Sequence, residues 1–299
     1  MKKKTTQKTG KVFYNSTVSQ CRYGLFAPVQ KISNKSKLLP GKILYSNMEI
    51  SFSKVLTQVH QDIIFALFSF YEVRAKKHNS DSVSILYSPA ELLKKLGLKG
   101  ENYKWLQSKI KEISDTDFKI KFTSDKQVIK IAEKIINTTA VSKIKNDKSS
   151  LKHSFCYVNF GHIFSNYFSI DVNMRISDNA LKSIFEVKNG AIKALIKYIL
   201  TSSTKNFRFN MSIRKVLTEI GAINENTPMR TIRDLNKQIH DAKTFLKENF
   251  GIIVDNDCIF YKPAKPLVYF RNIDDVEKEI AGKKFITYDK ENPDSWSWL

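Results

Sequence analysis

Cysteine is scarce in this chain: Cys21, Cys156 and Cys258 are the three in 299 residues, and none forms a Cys-x-x-Cys pair. That excludes a disulfide framework and a zinc finger, and isolated thiols fit a reducing compartment, the cytoplasm. Histidine is scarce too, at five, with no His-x-His, so the metal pocket of a tyrosine relaxase lacks its ligands. No Gly-x4-Gly-Lys-Ser/Thr loop occurs, which argues against a P-loop motor. No run approaches the ~20 apolar residues of a membrane span. The basic start MKKKTTQKTGKVFYNS leads into no apolar stretch, unlike a secretory signal. Ten glycines and seven prolines are too few for a fibrous or mostly disordered chain.

Acidic residues are the other shortfall: 29 Asp and Glu face 50 Lys and Arg, a net charge of +21. Such an excess favours a polyanion through counterion release. Nucleic acid is the usual partner and an anionic membrane surface the competitor. Abundant Lys, Ile and Asn also follow from AT-rich coding, so charge alone does not decide. Hydrophobic residues at 42% and charged ones at 26% are ordinary for a folded protein, and the length predicts roughly two domains.

Residues 1–41, with Lys2, Lys3, Lys4, Lys8, Lys11, Lys31, Lys35 and Lys37, read as a flexible basic arm. Over 42–170 the spacing predicts a strand at 41–45 and an apolar helix at 55–71. A strand at 82–87 follows, then a helix opened by Ser88-Pro89 and stopped by Gly97. Next come a helix at 102–114 and strands at 118–122, 128–136 and 155–160, with a polar turn at 145–150. Helix, strand, helix, turn, helix, then antiparallel strands is the order of a winged helix.

The order recurs over 171–285, with a helix at 191–200, a short strand at 207–209 and a helix at 212–220 closed by Gly221. A long helix at 227–249 then opens on Thr227-Pro228, and a hairpin turns at Asp255-Asn-Asp257. Matching Gly97 to Gly221 also aligns Ser88 with Ser212, Leu93 with Leu217 and Leu96 with Ile220, so a duplicated unit is expected. Residues 165–190 read as the join and 286–299 as a C-terminal tail. The expected fold is α+β, two tandem winged-helix domains, each a helix-turn-helix with a β-hairpin wing.

At ~100° per residue, Ile232, Leu235, Ile239, Ala242 and Leu246 form the core stripe of the long second helix. Arg230, Arg233 and Lys237 face away, in company with Asp234 and Asp241. The start of a recognition helix is where side chains reach base edges. Thr227, Arg230, Thr231, Arg233, Asn236 and Lys237 are therefore the candidate readers, Arg for guanine and Thr or Asn for adenine or the thymine methyl. In the first domain Lys104, Gln107, Ser108 and Lys111 share one face, with Lys99 in the turn before. Lysine is a point charge without a planar fork, so these read as phosphate contacts. Lys262 and Lys265, after the second hairpin, are placed beside the groove. Asp115-Thr-Asp117 and Asp255-Asn-Asp257 have the spacing of metal-binding carboxylates, but Asp and Asn are ordinary turn residues. No nucleophile motif supports an enzyme.

These segments carry a family likeness. The chain resembles the iteron-binding plasmid replication initiators over about 42–270, through Ala191-Ile-Lys-Ala-Leu-Ile-Lys-Tyr-Ile-Leu200, Ser212-Ile-Arg-Lys-Val-Leu-Thr-Glu-Ile-Gly221 and Arg233-Asp-Leu-Asn-Lys-Gln-Ile239. The first half matches at Val59-His-Gln-Asp-Ile-Ile-Phe-Ala-Leu-Phe68 and Leu92-Leu-Lys-Lys-Leu-Gly97. Many members carry a tyrosine just before the recognition helix, where Thr227-Pro228 stands here. The resemblance implies a monomer gripping direct repeats at an origin with both domains. The second domain would be the main reader, and the first would contact backbone and dimerise to repress the protein's own promoter. A DnaA-type host initiator and the replicative helicase would be recruited, and no cofactor is needed. A winged-helix transcriptional regulator is the alternative reading.

Overall fold

The structure, a computed structural model, describes residues 16–17, 25–31, 40, 42–44, 47–70, 82–124, 127–143, 154–165, 173–202, 209–264 and 267–270. Lys265, the strand expected at Phe207, the turn at 145–150 and the tail 286–299 lie outside them.

Two winged helices follow one another, each around its own core. In the first, α1 (Gln58–Phe68) precedes β4 (Ser84–Tyr87), α2 (Pro89–Lys95) and α3 (Tyr103–Ser114). Its wing is the hairpin β7 (Ile136–Lys143) and β8 (Ser154–Phe160). In the second, α5 (Gly190–Ser202) precedes β10 (Asn210–Ser212), α6 (Ile213–Glu219), α7 (Met229–Asp241) and α8 (Lys243–Phe250). Its wing is β11 (Ile252–Asp255) and β12 (Cys258–Tyr261). The three-stranded sheets run in the same order, β4-β8-β7 and β10-β12-β11.

The turns repeat as well. Gly97 and Gly221 both take positive φ, 71° and 70°, where a Cβ is strained. Leu98 N–H donates to the Leu93 carbonyl and Ala222 N–H to that of Leu217, both at 2.8 Å. This is the same helix-terminating bond at positions that the sequence alignment pairs.

Several elements differ from the sequence expectation. The strands expected at 118–122 and 128–136 are not the wing. They form a separate hairpin, β5 (Asp117–Thr123) and β6 (Val128–Lys134), in a four-stranded sheet with β2 (Lys42–Leu44) and β3 (Met48–Phe52), ordered β2-β3-β5-β6. Alternation reveals a strand but not its partner. A strand forms at β10, just after the one expected at 207–209, and the helix expected over 227–249 breaks at Ala242 (φ −87°, ψ −1°) into α7 and α8. The break lets Leu246 and Phe250 bury against α4 (Asp178–Glu186).

The expected join thus contains a helix of its own. Ser177 caps α4, its hydroxyl accepting from Ala180 N–H (3.4 Å), and Ala180, Leu181 and Ile184 are buried. Beside it β9 (Asn173–Ile176) pairs with β13 (Val268–Phe270) and with β1 (Ser16–Thr17). Residues 25–30, expected in a free arm, are also packed. Leu25 and Phe26 are buried in the first core, Ala27 N–H donates to the Leu56 carbonyl, and Gln30 Nε2 reaches the Val187 carbonyl of the second unit at 3.2 Å.

The two units also meet through charge. Asp62 of α1 accepts from Lys193 and, at 2.7 Å, from Lys197 of α5. Lys197 also donates to Gln61 (2.9 Å) and Gln58 (3.0 Å), over the Phe65 ring. The three charged side chains are 6%, 3% and 1% exposed.

Candidate nucleic-acid interface

Each unit sets its second helix-turn-helix helix on the core by an apolar stripe and leaves the other side in water. In α3 the stripe is Leu106, Ile110 and Ile113, all buried. Lys104, Gln107, Ser108 and Lys111 are exposed together on the far side, and Lys99 is exposed in the turn before it. Trp105 packs against the core.

The acid of this helix, Glu112, is drawn to the inner flank. Lys109 reaches both its oxygens at 2.7 and 2.8 Å, and His60 Nε2 donates to it at 2.9 Å. Those donors hold its carboxyl below the usual range against the opposing effect of burial, the largest single influence. The exposed face therefore keeps its positive charge. Replacing Lys104 with alanine is expected to weaken binding to all duplex sequences alike and lower the salt slope by about one unit. Titrations on several duplexes across salt concentrations check this.

His60 ties this helix to α1. Its Nδ1 accepts the Thr57 N–H at 3.0 Å while Nε2–H faces Glu112. Burial pushes the imidazole below its ordinary range, and Glu112 opposes this only in part. The unfolded chain takes up that proton near pH 6.5, so the stability involved is present above that pH and lost as pH falls through it. Thermal melts are expected to show the wild type losing stability between about pH 7 and 5.5, and His60→Gln losing less. The depressed carboxyls of Glu112 and Asp117 titrate below that window.

In α7 the core stripe is Ile232 and Ile239, buried, with Leu235 half-buried beside them. Arg230, Arg233 and Lys237 are exposed, within about 60° of one another at ~100° per residue. Asp234 and Asp241 are exposed on the same side, about 40° and 20° from Arg230, and Thr231 stands exposed on the opposite flank. The helix is pinned by Asn189, whose Nδ2 donates to Gln238 at 2.6 Å and whose Oδ1 accepts the first N–H groups of α5.

Two of the expected readers, Thr227 and Asn236, are only partly exposed. Thr227 does not cap the helix, which begins at Met229 after Pro228. Its hydroxyl accepts the Asn224 N–H (2.8 Å) and donates to Asn224 Oδ1 (3.2 Å), closing the preceding turn. Asn236 is half-buried with its Oδ1 turned inward. Lys262 is exposed but sits at the base of the wing, its N–H on the Gly251 carbonyl (2.8 Å). The wing tip carries exposed Asp255 and Asp257 around Asn256 (φ 47°), which repel phosphate. Met229 is exposed at the helix start, although an isolated Met in a helix reads as core.

The paired carboxylates resolve into turns and strands. Asp115 ends α3, and Asp117, in β5, is bonded to Lys134 at 2.7 Å. Among the described residues no group of three or more His, Cys, Asp or Glu could hold a metal ion, and no helix is long and apolar enough to cross a membrane.

No family model matches the chain, and no curated protein matches it. Among solved structures, it is similar to a crystal structure of selenomethionine derivatives of domains 2 and 3 of RctB, at 14% identity. The match has a TM-score of 0.51 and covers 87% of this chain and 96% of that one. At that identity the likeness is one of fold, and it spans both winged helices.

Proposed function

We propose that this chain is a sequence-specific double-stranded-DNA-binding initiator of plasmid replication that binds direct repeats at an origin. The observation that carries the reading is the repeated helix-turn-helix, each copy turning a cationic helix face outward: Lys104 and Lys111 on α3, Arg230, Arg233 and Lys237 on α7. Arginine can bond guanine through two acceptors, whereas lysine neutralises phosphate. In this reading α7 reads bases while α3 grips backbone in an adjacent groove. The likeness to domains of RctB, a replication initiator, supports the initiator role. So does the sequence resemblance to the iteron-binding initiators. In this proposal a dimer formed through the first unit represses the protein's own promoter, and a DnaA-type protein and the replicative helicase join at the origin, in the cytoplasm. No catalytic step is assigned to the chain.

A gel shift at about 0.15 M salt tests this, because affinities depend steeply on salt. The probes are duplexes carrying the direct repeats beside the gene and the same bases shuffled. Preference for the repeats is the expected result. Equal binding to both would overturn repeat recognition.

A further inference from the structure

The sheet inserted between α3 and the first wing presents a face that neither helix-turn-helix uses. Strand alternation turns Ile43, Ile50, Phe52, Phe118 and Ile120 into the core. Register then places Lys42, Lys119, Lys121, Lys130 and Lys134 on the opposite, solvent side, with Glu49 and Asp117 as its carboxylates among the described residues. Glu49 lies 3.9 Å from Lys42 and Asp117 2.7 Å from Lys134. Lys119, Lys121 and Lys130 have no acid at ion-pair distance among the described residues. Lys121 and Lys130 stand directly opposite each other across β5 and β6. On its other side Lys121 faces Glu49 of β3, which offsets part of the like-charge cost of the Lys121–Lys130 pair; an anion laid across the two lysines offsets the rest.

We propose that this lysine face binds the phosphates of duplex DNA flanking the segment held by α3 and α7. The inference rests on the DNA-binding reading above. Several observations favour duplex DNA as the occupant. Among the described residues the face has no aromatic ring on which unpaired bases could stack. Its apolar members among the described residues, Leu44, Val128 and Ala132, are not the Trp and Phe of a membrane-seated surface. Moreover, β5 begins at Asp117, just after α3 ends at Ser114, which fixes the face to a helix already committed to DNA. Contact with phosphate alone makes the binding independent of sequence.

The test compares the full chain with Lys119→Gln/Lys121→Gln/Lys130→Gln on two duplexes that share one repeat, about two and about six helical turns long. The wild type is expected to bind the longer duplex about tenfold more tightly, with a steeper salt dependence. The triple variant is expected to keep its affinity on the short duplex. On the long one it should lose that gain and about 2–3 units of slope, near one per lysine. Lys121→Gln alone should lose about one unit. Unchanged affinity and slope on the long duplex would overturn the proposal, and so would equal loss on both, which places these lysines in the primary grip or in the fold. Wild-type capture by phosphatidylserine vesicles, lost in the variant while long-duplex binding persists, would assign the face to lipid instead. A wild type that binds neither duplex sinks the DNA-binding reading itself.

Discussion

Asp62→Ala is expected to cost about 3–5 kcal/mol of stability, because removing one partner leaves buried charge uncompensated. Here it leaves two ammonium groups, Lys193 and Lys197, at 3% and 1% exposure. Lys197 retains Gln58, Gln61 and the Phe65 ring, but among the described residues Lys193 keeps only the Phe185 carbonyl at 3.5 Å. Urea denaturation measures the loss. Asp62→Leu with Lys193→Met and Lys197→Met should recover much of it, since well-packed apolar replacements of buried ion pairs are often neutral or better. A small effect for Asp62→Ala alone would mean that water reaches the cluster. Because Asp62 belongs to α1 and both lysines to α5, calorimetry of the alanine variant should also show the two units unfolding at separate temperatures.

Arg233→Ala carries the second large effect, on binding. A bidentate arginine–guanine contact is worth about 1–3 kcal/mol of discrimination, so affinity for the repeat should fall by roughly 5- to 150-fold. Affinity for random duplex should fall far less, because phosphate contacts remain. Arg233 is exposed in the second turn of α7 and makes no ion pair among the described residues, so truncation leaves the fold alone. Equal losses on repeat and random DNA would remove base reading from this residue.

Much of this fold was legible in the sequence because apolar spacing and helix-stop glycines are local signals. Gly97 and Gly221, aligned by sequence, end α2 and α6 in the same left-handed turn. The exposed faces of α3 and α7 followed from the same periodicity. Other features depend on contacts far along the chain. Nothing at Ala242, the best of helix formers, marks the break that seats Leu246 and Phe250. Alternation found β5 and β6 but could not say that they pair with β2 and β3 while the wing lies further on. The lysine-rich first segment read as solvated, yet Leu25 and Phe26 are buried. A missed signal was present in α5, where Lys193 and Lys197 stand one turn apart in an otherwise apolar helix. Asp62 stands likewise in α1, and buried charges call for partners.

In the proposed function, α3 and α7 occupy successive major grooves of one duplex. Protection of guanine N7 from methylation, mapped along a bound repeat, tests it most directly. Two protected windows centred about one helical turn apart are expected, with Arg230→Ala/Arg233→Ala clearing one and Lys104→Ala/Lys111→Ala clearing the other. A single window, or two windows that both variants clear together, would contradict it.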